Sequence, residues 1–235
     1  MKNPIICKNC GAENPFYGLI CKECKGYIRE RIVNIDLFKV LSLLIHSPRE
    51  AFSLIIRAEH KNFIFFLMLL ASAKFLIDSM YVSLAFSRHE PYLGNFISGY
   101  FLILAGTGVF ILLFSAILKF IYTTFDLKTR IRDNFAILIY SLIPYVFAVL
   151  ILFPVEVTVF GNNLFSNNPA PFSIKSSFAY ILVGFEGLMF IWSLFLSFAG
   201  FLTQTRNVIY SIITALIFNA AIFYLLYLSS KILFT

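Results

Sequence analysis

The sequence predicts an all-α polytopic membrane protein with five transmembrane helices, preceded by an amphipathic interfacial helix and a small amino-terminal ribbon built on cysteines. Three observations predict it. Hydrophobic residues make up 60% of the 235-residue chain and charged residues only 13%, a composition too apolar for a soluble core of this size. Five apolar runs are each long enough to cross ~30 Å of hydrocarbon at 1.5 Å per residue. All four cysteines fall within the first 24 residues.

The ribbon comes first, over residues 1–27. Its cysteines form two pairs, Cys7-Lys-Asn-Cys10 and Cys21-Lys-Glu-Cys24, ten residues apart, each followed closely by a glycine (Gly11, Gly26). Four thiolates at this spacing suit a tetrahedral zinc ion in a structural role, because sulfur fills every ligand position and leaves none for a catalytic water. A redox dithiol pair and disulfides are the alternatives. Lys8, Lys22 and Lys25 lie near enough in sequence to offset the charge of four thiolates. Phe16, Tyr17, Ile20 and Tyr27 are the only sizeable apolar cover, so metal must supply much of the folding energy.

Residues 28–61 form a linker and an interfacial helix. Ser47-Pro48-Arg49-Glu50 has the form of a capping box with proline at the first helical position, so a helix is expected to start there after a break at His46. Over Pro48–His60 a 100° projection places Ala51, Phe52, Leu54, Ile55, Ile56 and Ala58 on one face, with Arg49, Glu50, Ser53, Arg57 and His60 on the other. That pattern predicts an amphipathic helix lying in the membrane interface and capping the bundle. The preceding Leu37–Ile45 stretch is more uniformly apolar and is expected to pack with it.

The spans fill residues 62–235. They are expected at about 63–86, 97–122, 135–160, 178–202 and 208–234, joined by Ser87–Phe96, Thr123–Asn134, a polar Gly161–Ser177 and a short hairpin at Thr203–Asn207. Pro144 and Pro154 should kink the third span. Gly106, Gly108, Gly184, Gly187, Ala199 and Gly200 read as points of close helix contact.

Lysine and arginine counts set the orientation. With the amino end inside, fifteen basic residues lie on the inner side and three (Arg88, Lys175, Lys231) on the outer, a strong positive-inside bias. The amino end is therefore expected in the cytosol and the carboxyl end outside. Reduced cysteines fit a cytosolic setting. No apolar segment occupies the first 30 residues, so neither a cleavable signal nor a lipidation motif is expected.

Ionisable groups within spans are costly and often functional. Lys74 and Asp78 lie four apart on the first span, Glu156 near the outer end of the third, Glu186 midway along the fourth and Asn219 centrally in the fifth. They form a candidate intramembrane polar site. Lys74 is expected to neutralise Asp78, or to cross-link to Glu186 as a structural tie; a proton or solute route is the alternative. No H-E-x-x-H, phosphate-binding glycine loop or G-x-S-x-G occurs, so no enzymatic role is expected. His46 and His60 fall on one side and His89 on the other, which prevents a shared metal site.

Leu41–Ile232, about four-fifths of the chain, resembles the Yip family of five-span membrane proteins, named for interaction with Ypt and Rab GTPases. The resemblance rests on Ser47-Pro-Arg-Glu-Ala-Phe52 leading into the first span, Tyr140-Ser-Leu-Ile-Pro144 in the third, and Ile191-Trp192-Ser-Leu-Phe-Leu-Ser-Phe-Ala-Gly200 before the last hairpin. The Cys7–Pro15 and Cys21–Cys24 segments resemble the short zinc-ribbon module joined to prokaryotic membrane proteins. The resemblance implies a role in membrane organisation or trafficking, as in eukaryotic members, while prokaryotic members have no assigned activity; the zinc-ribbon module points to a prokaryotic cell membrane. Eukaryotic relatives carry an Asp-Leu-Tyr-Gly-Pro type motif before the first span that Asp36-Leu-Phe-Lys does not reproduce, so GTPase binding is not carried over.

The functional expectation is an integral membrane scaffold or adaptor, in contact with lipid, whose ribbon holds a protein partner and which self-associates. A small transporter or channel subunit using the intramembrane charges is the alternative. Nucleic acid is not an expected partner, since residues 1–61 hold ten basic and six acidic side chains without a dense basic run.

Overall fold

The structure is a computed structural model, and it describes residues 3–86 and 95–234. The expected joint residues Arg88, His89, Glu90 and Pro91 lie outside the described residues. The fold is all-α and polytopic, with a two-stranded cysteine-bearing ribbon at its amino end. Among the described residues, five helical stretches are long and apolar enough to cross a membrane: Ile64–Phe86, Phe96–Thr124, Ile143–Phe165, Ser176–Thr205 and Val208–Leu233. Their bounds fall close to the expected ones except in the third, where the apolar window starts later.

In chain order the elements are β1 (Pro4–Ile6), β2 (Glu13–Pro15), α1 (Leu37–His46), α2 (Pro48–Arg57), α3 (Ile64–Phe86), α4 (Phe96–Thr124), α5 (Ile131–Ser141), α6 (Ile143–Phe147), α7 (Phe153–Phe160), α8 (Pro171–Ile174), α9 (Ser176–Thr205) and α10 (Val208–Leu233). Along the long helices large apolar side chains stay exposed. On α9 these include Phe178, Ile181, Phe185 and Leu188, a stripe at helical spacing that faces away from protein. Such a stripe is the reverse of the soluble pattern and marks a surface solvated by lipid.

The third span is interrupted twice. Proline has no N–H to continue the helical ladder, and Pro144 and Pro154 each sit in the first turn of a new helix, α6 and α7. Between them Ala148–Leu152 is a π-turn, closed by the Phe153 N–H donating to the Ala148 carbonyl. The expected kinks are therefore a break at Leu142 and a local widening, with the freed carbonyls taken up by shifted pairings.

The chain divides into two compact units. The first comprises 1–65, 110–141 and 195–215. Its core is built by α2, which packs against α1 and α5. Ala51, Phe52, Ile55 and Ile56 of α2 are essentially inaccessible. Thus α2 is amphipathic as its periodicity predicts, but its apolar face meets protein: a Cβ at Gly200 would stand 3.1 Å from the Phe52 ring. The outward apolar residues of this helical pair belong to α1, where Phe38 is 84% exposed while Val40 and Leu44 are buried. Ser47 ends α1 and begins α2, and Pro48 takes the first helical turn. The Ser47 hydroxyl makes no capping bond; its carbonyl instead accepts from the Glu50 and Ala51 amides.

The second unit comprises 66–109, 142–194 and 216–235. Its core gathers Ala148, Leu152, Phe160, Leu164, Ala179 and Leu182, with Phe75 edge-on to Tyr145 and Phe147 stacked on Trp192. Of the small residues expected at helix contacts, Gly108 meets Met68. Gly106, Gly184 and Gly187 have nothing within 4 Å of a built Cβ, so for these three the expectation of close contact does not hold.

Candidate metal centre and intramembrane polar cluster

The ribbon is two copies of one turn. In the first, the Cys7 N–H donates to the Ala12 carbonyl at 3.0 Å; in the second, the Cys21 N–H donates to the Gly26 carbonyl at 2.9 Å. Each turn needs a left-handed residue four positions after its first cysteine. Gly11 (φ +73°) fills the first and Lys25 (φ +58°) the second, a conformation that costs a non-glycine residue about 1 kcal/mol. Antiparallel pairing of β1 with β2, in the register Pro4 to Pro15 and Ile6 to Glu13, closes the first turn, and an Ile20 to Tyr27 bridge closes the second.

This geometry brings the four thiols together. Cys7 and Cys24 Sγ are 3.7 Å apart, Cys10 and Cys21 Sγ 3.5 Å, and all four lie within 4.8 Å of one another. None is in a disulfide, and the arrangement can hold a metal ion. The thiols divide: the Cys24 N–H above all, with the Asn14 side chain assisting, pulls the Cys21 thiol down to about 6, while at Cys10 the Ala12 amide is outweighed by the neighbouring sulfurs, which push the thiol up to about 11. Asn14 is a supporting residue that spacing alone did not single out. Fully buried, it donates to Cys21 Sγ (3.4 Å) and the Ala12 carbonyl and accepts from the Lys22 N–H at 3.0 Å. Lys8, Lys22 and Lys25 are exposed.

The aromatic residues do not cover the ribbon as expected. Phe16 is buried and Tyr17 half-buried, whereas Ile20 is 49% and Tyr27 75% exposed. Phe16 and Tyr17 instead dock within the first unit. The guanidinium groups of Arg57 and Arg206 lie 4.9 and 5.2 Å from the Phe16 ring centroid, and that of Arg130 lies 4.1 Å from that of Tyr17. Asn3 donates to the Gln204 and Lys128 carbonyls and accepts from the Lys128 N–H. Arg206 donates to the Pro4 carbonyl at 2.9 Å, and Arg29 to the carbonyls of Tyr17, Gly18 and Arg57.

Beneath this seam, Asp133 is fully buried. Arg130 grips it through Nε (2.6 Å) and Nη2 (3.2 Å), and Lys61 Nζ lies 3.2 Å away. Lys61 also donates to the carbonyls of Ile55, Ile56 and Ala58. A cation thus caps the negative end of α2. Sequence reading counted Lys61 and Arg130 only as orientation signals; their shared carboxylate is visible only in three dimensions.

In the second unit Lys74, fully buried, lies 2.7 Å from Asp78 Oδ1 and also donates to Glu186 Oε1. The two pairings posed as alternatives therefore coexist. Tyr81 donates to Glu156 Oε2 at 2.7 Å, and the Lys74 ammonium lies 5.7 Å from the Tyr81 ring centroid. Lys74, Asp78, Glu156 and Glu186 thus form one polar cluster with Tyr81, a member the sequence reading missed. Asn219 is buried on α10. His46 is exposed and pairs with the Ser42 carbonyl, His60 is exposed, and His89 lies outside the described residues.

Comparison with protein-family models, with curated proteins and with solved structures finds no match to this chain.

Proposed function

We propose that this chain is a Yip-like integral membrane scaffold whose four-cysteine ribbon binds zinc structurally and presents a docking face for a protein partner. The observation that carries the reading is the ribbon itself. A tetrahedron of sulfurs around zinc at ~2.3 Å has edges of about 3.8 Å, and the Cys7–Cys24 and Cys10–Cys21 separations of 3.7 and 3.5 Å lie near that length. Reduced thiols and the positive-inside count support a cytosolic ribbon. Phe16 and Tyr17 hold the ribbon against the arginines, leaving Ile6, Ile20 and Tyr27 exposed for a partner. Within the membrane, Lys74 engages both Asp78 and Glu186, which supports a structural tie between helices over a transport route.

Two measurements test this. Purified protein should contain one zinc per chain by elemental analysis, falling to near zero in Cys10→Ser and Cys21→Ser; a full-length protein without stoichiometric zinc sinks the metal assignment. Partners cross-linked in intact cells should be lost in Ile20→Asp and Tyr27→Asp while insertion is retained. An unchanged set of partners removes the scaffold reading. Point substitutions serve better than deleting the ribbon, because deletion would strip Phe16 and Tyr17 from the arginines they cover.

A further inference from the structure

Arg57 closes α2, and Arg206 stands in the turn between α9 and α10, with its backbone in the left-handed region (φ +56°) that favours glycine. Both lie next to membrane-crossing helices, Arg57 seven residues before α3 begins and Arg206 between two spans. That is the level at which hydrocarbon gives way to lipid phosphates.

The other arginines at the ribbon seam are satisfied. Arg29 donates to backbone carbonyls of Tyr17, Gly18, Glu30 and Arg57, Arg31 is bidentate on Glu59, and Arg130 is bidentate on Asp133. Arg206 uses one N–H on the Pro4 carbonyl. Arg57 stands apart. A guanidinium carries five N–H donors, yet among the described residues this one donates to none, and its Nε is buried without a partner. Phe16 offers both cations its π face, which answers their charge but accepts no conventional hydrogen bond. A buried donor left unmade is destabilising, because it has given up water without gaining an acceptor. Neither arginine forms an ion pair with a carboxylate among the described residues. Burial, and then the neighbouring charge of Arg206, holds Arg57 below the ordinary arginine range.

We infer that Arg57 and Arg206, held against Phe16, form a binding site for a phosphate-bearing anion, supplied by a lipid headgroup or by a soluble phosphate. The Nη groups of Arg57, which find no acceptor among the described residues, form a fork matched to two oxygens of one phosphate, and a tetrahedral oxyanion can accept from a second guanidinium approaching at an angle, as a planar carboxylate does less readily. The site goes beyond the scaffold reading and needs neither the partner nor transport.

The test uses the full-length, metal-loaded protein in phosphate-free detergent. One arm titrates radiolabelled orthophosphate; the other measures retention of phosphatidic acid against phosphatidylcholine by native mass spectrometry. Saturable binding is expected in at least one arm, weakened about tenfold or more by Arg57→Gln and by Arg206→Gln. Arg57→Lys keeps the charge but loses the fork and should bind at an intermediate level, while Arg49→Gln, at an exposed position of α2, should bind as wild type. Orthophosphate binding assigns a soluble phosphate; phosphatidic acid retention without it assigns the lipid. Zinc content and thermal midpoint check the fold, and where Arg57→Gln loses it, Arg57→Lys and Arg206→Gln carry the comparison. The inference is overturned if neither probe binds saturably, or if binding in the folded variants equals wild type.

Discussion

Replacing Gly200 by alanine adds one methyl group at the most closely packed glycine of α9. That carbon would sit 2.6 Å from Ile137 Cγ2 and 3.1 and 3.2 Å from two atoms of the Phe52 ring. The first approach is about 0.9 Å inside the ~3.5 Å at which carbon contacts become favourable. Ile137 and Phe52 are both fully buried, and the branched Ile137 side chain has little rotamer freedom on a helix. Overpacking of this kind costs about 1–3 kcal/mol, against a gain of up to about 1 kcal/mol from removing a helical glycine. A net loss of about 1–2 kcal/mol is expected, read as a lowered midpoint in reversible unfolding from mixed micelles. Gly187→Ala on the same helix meets nothing within 4 Å and should leave stability unchanged or raise it. Ile137→Ala removes the obstructing methyl, so the double variant Ile137→Ala/Gly200→Ala should lose less than the two single losses added together. A Gly200→Ala protein as stable as wild type, or equal losses in Gly187→Ala and Gly200→Ala, would refute the packing described for the first unit.

Further expectations follow from the polar groups. Asp133→Asn leaves Lys61 and Arg130 without their carboxylate and should lower stability by about 3–5 kcal/mol in the same unfolding assay. Lys74→Met strands Asp78 and Glu186 and should cut the yield of folded protein in membranes, whereas adding Asp78→Asn and Glu186→Gln should restore much of it; a triple variant no better than the single would speak against a structural tie. Acidification should release the metal, because protons compete with it for all four thiolates: zinc content is expected to fall as pH is lowered from neutrality, followed with a chromogenic chelator. Chelation at neutral pH should open residues 3–25 to proteolysis while the membrane-embedded fragments stay intact, seen by mass spectrometry of the digest.

The parts legible in the sequence are those set by local spacing. The two cysteine turns depend on residues within five positions of each other, and the spans depend on runs of apolar side chains, so both could be placed without a fold. For α2 the periodicity identified the apolar face correctly, yet lipid and protein core are equally apolar, and nothing in Phe52 or Ile55 says which one it meets. The same ambiguity made Gly184 and Gly187 look like Gly200. Charges were harder still. Lys61 and Arg130 contributed to a count that sets orientation, and only the fold reveals that both serve Asp133, just as it reveals Lys74 bonded to both of its candidate partners. Tyr81, Asn14 and Arg57 carry no pattern of their own; Tyr81 and Arg57 matter through neighbours distant in sequence, Glu156 and Phe16, and Asn14 through the fold of the ribbon around it.

The ribbon is synthesised well before the residues that anchor it. Asn3 bonds to the carbonyl of Gln204, 201 positions away, and Pro4 waits for Arg206 across 202. The cysteine turns can close around metal as soon as they emerge, whereas their seat exists only once the turn between α9 and α10 has been made. Docking of the ribbon thus follows insertion of α9, and a seated ribbon reports a chain that has been inserted at least through the turn between α9 and α10.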